Sequence, residues 1–221
     1  FCKFRAIMDN MFSQTNQNKK SIGWLLIILV GYELAAVFVF NILGLIMLLP
    51  FYDFDFQMVT TMLGRPTAYS GAKIPMLVLL GVSALGTFII TPAWVVRKYA
   101  KIELNKFIII PKSYLKAILI TTALVVSFAG VNSVIIEWNK ALQLPAFLNE
   151  FEHYAQEQEL KLAELTEFLT DFESVGHFLL CILVIAIIPA LGEEFLFRGV
   201  LQNMLSSALK NPHIAIWVST L

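Results

Sequence analysis

The chain has 221 residues, of which 58% are hydrophobic and 14% are charged. Soluble domains carry about 25% charged residues, so this composition excludes a water-soluble globular protein. Sixteen basic residues balance sixteen acidic ones, which leaves no net positive field for binding nucleic acid. The two cysteines, Cys2 and Cys181, are too few for a disulfide framework or a cysteine-based zinc site. The composition therefore predicts an all-α fold, a polytopic bundle of transmembrane helices.

Four apolar stretches reach or approach the roughly 20 residues that a membrane-spanning helix needs. They run from about 22 to 49, 74 to 96, 117 to 136 and 177 to 209. A further apolar run, 213–221, is too short to cross a bilayer, and we expect it to be part of a fifth span of a longer protein. We therefore predict one membrane domain over residues 1–221.

The distribution of lysine and arginine predicts which helix ends face the cytoplasm. The segment before the first span and the connection between the second and third spans are rich in both residues, whereas the other two connections carry few. We therefore expect a cytoplasmic N-terminus and a fourth span that runs from outside to inside.

Between the third and fourth spans, apolar residues recur at helical spacing over about 146–173. Acidic residues lie between them, so this helix is predicted to be amphipathic with an acidic face. We favour a helix that lies on the membrane surface or on the outer mouth of the bundle; the alternative is a lid over a substrate entrance. Because membrane-surface helices are usually basic, docking on protein is favoured over docking on anionic lipid.

The most informative segment lies in the fourth span, where Glu193, Glu194 and Arg198 interrupt an apolar helix. Charged residues at the bilayer centre each cost about 2.5 to 3.5 kcal/mol on insertion scales, so they usually mark a functional site. Glu194 and Arg198 are one helical turn apart and can pair, which leaves Glu193 as the freer carboxylate. Pro189 loosens the helix just before the charges, and Gly192 leaves room for another backbone or a substrate.

A free carboxylate beside a charged pair in a water-poor chamber is suited to activate water for attack on a carbonyl group. The alternative is a glutamate–arginine pair at the membrane interface that only fixes helix packing. The spacing of the three residues leaves both interpretations open.

The run PALGEEFLFRGVLQ, from Pro189 to Gln202, resembles the first signature, EExxxR, of the CPBP intramembrane proteases. This large family includes the CAAX prenyl endopeptidases and many bacterial homologues. The charged residues have the family's spacing within a membrane helix, which makes the resemblance specific. Asn211 and Pro212, with the residues after them, are similar to the start of the family's next helix.

The resemblance implies an intramembrane endopeptidase of a bacterial inner membrane, with a peptide or protein substrate. Glu193 would activate the hydrolytic water, and Glu194 and Arg198 would support the site. The family's later motifs, FxxxH and HxxxN or HxxxD, are not in this sequence; we expect them beyond Leu221, so the fragment alone would be inactive. The resemblance leaves open whether a divalent metal such as zinc takes part, with its further ligands beyond Leu221.

Two other functions stay open at this point. The first is a non-catalytic membrane scaffold or immunity-type protein on the same fold. The second is a small transporter that uses Glu33 and Glu193 as proton-linked groups. Glu33 and Asn41 are costly in lipid, so we expect both to face the bundle interior and to form hydrogen bonds between helices.

The remaining residues are weaker candidates for a catalytic or metal-binding role. We interpret His213 as an interfacial residue and not as a metal ligand, and we place His153 and His177 on the outer side, away from the charged segment. Glycines in the spans are expected to permit close approach of helices. These are Gly31, Gly44, Gly81 and Gly86.

Overall fold

The computed structural model describes residues 19–100, 114–141, 145–209 and 211–220. Every regular element in these ranges is helical. Four of the helices are long and apolar enough to cross a membrane, by length and composition, which confirms the predicted fold class and indicates a multi-pass membrane protein.

The helices are numbered in chain order. Their bounds are α1, Lys19–Leu48; α2, Phe56–Gly64; α3, Lys73–Tyr99; α4, Tyr114–Ala141; α5, Asn149–Thr170; α6, Val175–Leu209; and α7, Pro212–Thr220. The four helices that can span a membrane are α1, α3, α4 and α6.

The chain divides into two units. The first comprises Phe1–Phe107 and Glu164–Leu221, and it contains α1, α2, α3, α6, α7 and the end of α5. The second, Ile108–Ala163, contains α4 and the rest of α5. Every side chain that the structure describes on α4 is exposed, so within its own unit this helix has no buried face.

Polar side chains mark where helices begin. The Ser174 hydroxyl accepts a hydrogen bond from the His177 amide at 3.1 Å and caps α6. The Asn211 side chain accepts from the His213 amide at 3.0 Å and caps α7. These contacts satisfy amide groups that have no partner within the first helical turn, which explains why both helices start at these points.

The core of the first unit lies where α1, α3 and α6 pack together. On α1 and α3, Phe40 lies against Gly86, and Tyr32, earlier on α1, contacts Trp94, later on α3, so these helices run antiparallel. Gly81 faces Val184 and Gly192 faces Phe88, so α3 and α6 run parallel. This arrangement agrees with the relative directions expected from the charge distribution.

Two clusters of buried apolar side chains stabilise this arrangement. The first cluster joins α1, α3 and α6 near the charged segment, and the second joins the opposite end of these helices to α2 and the end of α5. The first comprises Leu25, Leu29, Val95, Val96, Leu196, Val200 and Met204. The second comprises Leu48, Val59, Met62, Ala72, Met76, Leu77, Leu169, Cys181, Val184 and Ile188.

The end of α5 docks on protein. Leu169 is 3% exposed, and Leu165 and Phe168 pack against the second cluster. Lys73, at the start of α3, fixes the segment that follows: its ammonium group lies 3.0 Å from the Asp171 carboxylate and 2.8 Å from the Glu173 carboxylate. It also donates to the Asp171 carbonyl oxygen at 2.8 Å, and its side chain is 8% exposed. The connection between α5 and α6 is therefore held on α3 by one buried cation.

Three of the four glycines permit close helix approach, as expected. A Cβ atom on Gly44 would lie 2.6 Å from Leu79, one on Gly81 would lie 3.3 Å from Val184, and one on Gly86 would overlap the Phe40 ring. The expected close approach is not found at Gly31 among the described residues, since a Cβ atom there would meet no described atom within 4 Å. Gly31 lies on a part of α1 that no described neighbour covers.

We expect Gly86→Ala to lower the free energy of unfolding by about 1 to 3 kcal/mol, because the added methyl group forces the Phe40 ring and α1 away from α3. Thermal unfolding in detergent, followed by circular dichroism, measures the change. Gly31→Ala is the matched control and should be neutral or slightly stabilising. Equal melting temperatures for the two variants would contradict the packing described.

Replacing the buried cation is a second test. Lys73→Met should lower the melting temperature, since it removes the shared partner of Asp171 and Glu173 and keeps a side chain of similar length. Lys161→Met is the control, because Lys161 pairs with Glu157 one turn away on the exposed surface of α5. An unchanged melting temperature for Lys73→Met would show that the contact contributes no stability.

Candidate active site

The charged segment of α6 lies where the helix changes its geometry. Residues Ile188–Glu193 are α-helical, whereas Glu194–Leu201 form a wider, π-helical stretch. Such turns have i→i+5 backbone hydrogen bonds. They also occur at Gly86–Ile90, Val96–Ala100 and Ile182–Ile187, so the wide turn does not by itself mark a site. Leu196 and Val200 of this stretch are buried on the side that faces α1 and α3.

The structure contains the ion pair that the spacing predicts. The Arg198 guanidinium donates a hydrogen bond to the Glu194 carboxylate over 3.1 Å. The Glu193 side chain forms no hydrogen bond or ion pair with any residue that the structure describes. Glu193 is thus the freer of the two carboxylates and is open to a ligand.

The expectation that these side chains lie in a water-poor chamber is not met by the described residues. The side chains of Glu194 and Arg198 are 59% and 68% exposed, and Glu193 is also exposed. The reason is that Leu196 and Val200 occupy the face of α6 that packs into the bundle, which directs the charged residues away from it. The described protein atoms therefore do not remove these charges from solvent, and they impose no free-energy cost of burial on them.

A pocket of about 390 Å³ lies beside the two glutamates, between α6 and α7. It is of a size that accommodates small ligands or part of a peptide. Its lining comprises Ala190, Glu193, Glu194, Phe197, Arg198, Ser219 and Thr220. All three predicted site residues therefore line one pocket, together with two hydroxyl groups that the sequence analysis did not single out.

Gly192 fixes the position of this segment on α3. A Cβ atom on Gly192 would lie 2.5 Å from the Phe88 Cβ atom and 3.3 Å from Ile89. The room that the glycine was expected to provide is therefore filled by another helix and not by a substrate. Because Gly192 directly precedes Glu193, this contact sets how far the glutamate stands from the bundle core.

Asn203 supports the π-helical stretch from its C-terminal side. Its amide group donates hydrogen bonds to the carbonyl oxygens of Arg198 at 2.9 Å and Gly199 at 2.8 Å. A change from i→i+5 to i→i+4 bonding leaves backbone groups that need other partners. Asn203 supplies such a partner to the backbone of Arg198. Sequence reasoning missed this residue, since the end of a π-helical stretch has no clear signature in the sequence.

The donors that the structure describes do not fit a metal centre. No three His, Cys, Asp or Glu residues lie together in a suitable arrangement within the described ranges. Zinc in proteins takes three or four nitrogen, sulfur or carboxylate ligands, whereas this pocket offers adjacent glutamates, one of them paired with Arg198. His213 is exposed at the start of α7 and belongs to no such group.

The polar residues of α1 behave differently from each other. Asn41 accepts a hydrogen bond from the Ser83 hydroxyl over 3.3 Å, which is the predicted bond between helices. Glu33 does not form the expected bond: both of its carboxylate oxygens are buried and have no hydrogen-bond partner among the described residues. Its neighbours on the same face of α1, Leu29 and Ala36, are buried apolar side chains, which cannot donate hydrogen bonds.

His177 lies apart from the charged segment, as expected. It is buried at the start of α6, where its Nδ1 atom accepts a weak hydrogen bond from the Glu173 amide over 3.5 Å and its ring packs against Phe172. His153 is exposed on α5. Both contacts of His177 hold the connection between α5 and α6 in place.

The segment that contains the pocket residues matches a known protein family. Residues 175–221 match the family model described as type II CAAX prenyl endopeptidase, Rce1-like. The C-terminal end of the chain is therefore similar to the Rce1-like endopeptidases. The match includes α6, the predicted site residues and α7, and it confirms the resemblance to the CAAX prenyl endopeptidases. No curated protein and no solved structure matches the chain.

The matched family is described as one of endopeptidases, enzymes whose substrates are peptides. The match begins at the first residue of α6 and does not include α1, α3 or α4. The matched range contains α6 and α7, whose residues together line the pocket.

We expect Asn203→Ala to reduce the free energy of unfolding by about 1 kcal/mol, because two carbonyl oxygens lose a donor. Chemical or thermal unfolding in detergent measures this loss. Gln202→Ala is the control, since the structure describes no side-chain hydrogen bond for Gln202. If both variants have the stability of the unsubstituted protein, Asn203 does not support the turn.

Proposed function

We propose that the protein is an intramembrane endopeptidase of the CPBP or CAAX protease type, in which Glu193 activates water. The observation that carries this proposal is the position of Glu193: it is unpaired among the described residues and lines a pocket in the segment that matches an endopeptidase family. Glu194, which comes next in the chain, is paired with Arg198 and is not free in this way.

Peptide hydrolysis needs two proton transfers, one from water to Glu193 and one from Glu193 to the peptide nitrogen. The Glu193 carboxylate takes a proton from water while the water oxygen bonds to the carbonyl carbon of the peptide. The protonated Glu193 then gives this proton to the amide nitrogen as the carbon–nitrogen bond breaks. The products are a new carboxyl terminus and a new amino terminus, and Glu193 returns to its ionised form.

Glu194 and Arg198 act in support. The guanidinium group holds Glu194 to one side, so that the two adjacent carboxylates do not compete for the same position. Arg198 has further N–H donors beyond the one that Glu194 accepts, and these can bind a carbonyl oxygen of the substrate within the same pocket. Such a donor lowers the energy of the oxygen as it becomes negatively charged.

The cellular setting is part of the same proposal. The charge distribution and the antiparallel packing of α1 and α3 support a cytoplasmic N-terminus with the site near the inner end of α6. The family resemblance supports a bacterial inner membrane. A divalent metal such as zinc would need ligands other than those described, so none of the steps above uses one.

One observation favours a second function. The exposure of Glu193, Glu194 and Arg198 is what a non-catalytic membrane scaffold or immunity-type protein would show if these charges bound a partner. The two functions differ in whether Glu193 needs to lose and gain a proton. A binding role needs only the charge and shape of the surface.

The test is the substitution Glu193→Gln in the full-length protein, reconstituted in lipid vesicles with a prenylated peptide that has a CAAX sequence. Because the amide keeps the shape and cannot act as a base, kcat/KM should fall by at least about 100-fold. Glu159→Gln is the control, since Glu159 is exposed on α5 and does not line the pocket. Undiminished cleavage by Glu193→Gln would refute the proposal, and no cleavage by the unsubstituted protein would favour the scaffold.

A further inference from the structure

Ser219 and Thr220 line the same pocket as Glu193 but belong to a different helix. The carboxylates lie on α6, and the two hydroxyl groups lie near the end of α7. Ala215 of α7 is fully buried, which fixes this helix against its neighbours. The pocket therefore has one wall with carboxylates and another with hydroxyl groups.

Both hydroxyl protons are already used inside α7. Ser219 donates to the Ile216 carbonyl oxygen over 3.0 Å, and Thr220 donates to the same oxygen over 2.8 Å. A hydroxyl group has one proton and two lone pairs, so both groups can only accept further hydrogen bonds in this arrangement. The α7 wall thus presents acceptors and no side-chain donor.

Hydroxyl groups in membrane helices often bond back to their own backbone, and this alone would explain where the protons point. It does not explain why both groups border the pocket of the two glutamates. The apolar side chains of α7 are not part of the pocket lining; Ile214, Ile216, Trp217 and Val218 are exposed elsewhere on the helix.

A water molecule between these walls would meet acceptors on two sides. Glu193 accepts one of its protons, and a hydroxyl oxygen of α7 accepts the other. With both protons directed in this way, a lone pair of the water points away from the two acceptors and towards the substrate. A water held by Glu193 alone rotates about a single hydrogen bond, and only a fraction of its orientations allow attack.

We propose that the hydroxyl oxygens of Ser219 and Thr220 orient the attacking water for Glu193. This inference rests on the proposed function and assigns two positioning residues to it. Their contribution lies in the geometry of the attack and not in the binding of the peptide, so it should affect kcat and leave KM unchanged.

The test compares two double variants of the full-length protein in lipid vesicles, with the same prenylated peptide. Ser219→Ala combined with Thr220→Val removes both acceptors and nearly preserves the side-chain volumes; we expect kcat to fall about tenfold with KM unchanged. Ser219→Thr combined with Thr220→Ser keeps both hydroxyl groups at similar total volume, and kcat should remain within about twofold. Melting temperatures in detergent establish that both proteins fold.

Three outcomes would overturn the inference: full kcat in the variant without hydroxyl groups, a change in KM alone, or an equal loss of kcat in the variant that keeps them. Glu193→Gln, assayed in parallel, separates this result from the proposed function. If Glu193→Gln is inactive while the variant without hydroxyl groups keeps full activity, only the role of Ser219 and Thr220 fails. If Glu193→Gln cleaves normally, the proposed function fails as well.

Discussion

The packing of α6 on α3 is the contact on which the rest of the first unit depends. A glycine lies at each of two points of this interface. Gly81 of α3 faces Val184, and Gly192 of α6 faces Phe88. In a membrane, helices associate through such close packing, since lipid is as apolar as the side chains themselves. Because one face of α6 is committed to this contact, its charged residues can only lie on the other.

The two ends of α6 are held by different kinds of interaction. At its start, the buried ammonium group of Lys73 and the Ser174 cap hold the connection from α5. At the charged segment, one side makes apolar contacts, and α6 forms polar contacts within itself, between Glu194 and Arg198 and between Asn203 and the backbone. The end that carries the pocket is therefore positioned by close apolar packing, whereas the start of α6 also depends on a buried cation.

The sequence was sufficient to predict the helical class, the four long helices and the pairing of Glu194 with Arg198, because composition and the spacing of charges along one helix determine them. It was not sufficient for contacts between distant segments. Three features depend on which helices become neighbours: the partners of Lys73, the exposure of Glu193 and the open surface at Gly31. Ser219 and Thr220 are candidates for the site only because α7 lies beside α6.

The π-helical stretch Glu194–Leu201 is a place where related chains can differ in length. A wide turn holds more residues per turn than an α-helix does, so it can lose one residue by reverting to ordinary α-helical bonding. Deletion of Gln202, at the start of the α-helical part Gln202–Leu209, would instead rotate everything beyond it by about 100° and move Met204 out of the core. Shorter homologues are therefore expected to lack a residue in the wide turn and to keep the register of the helix that follows it.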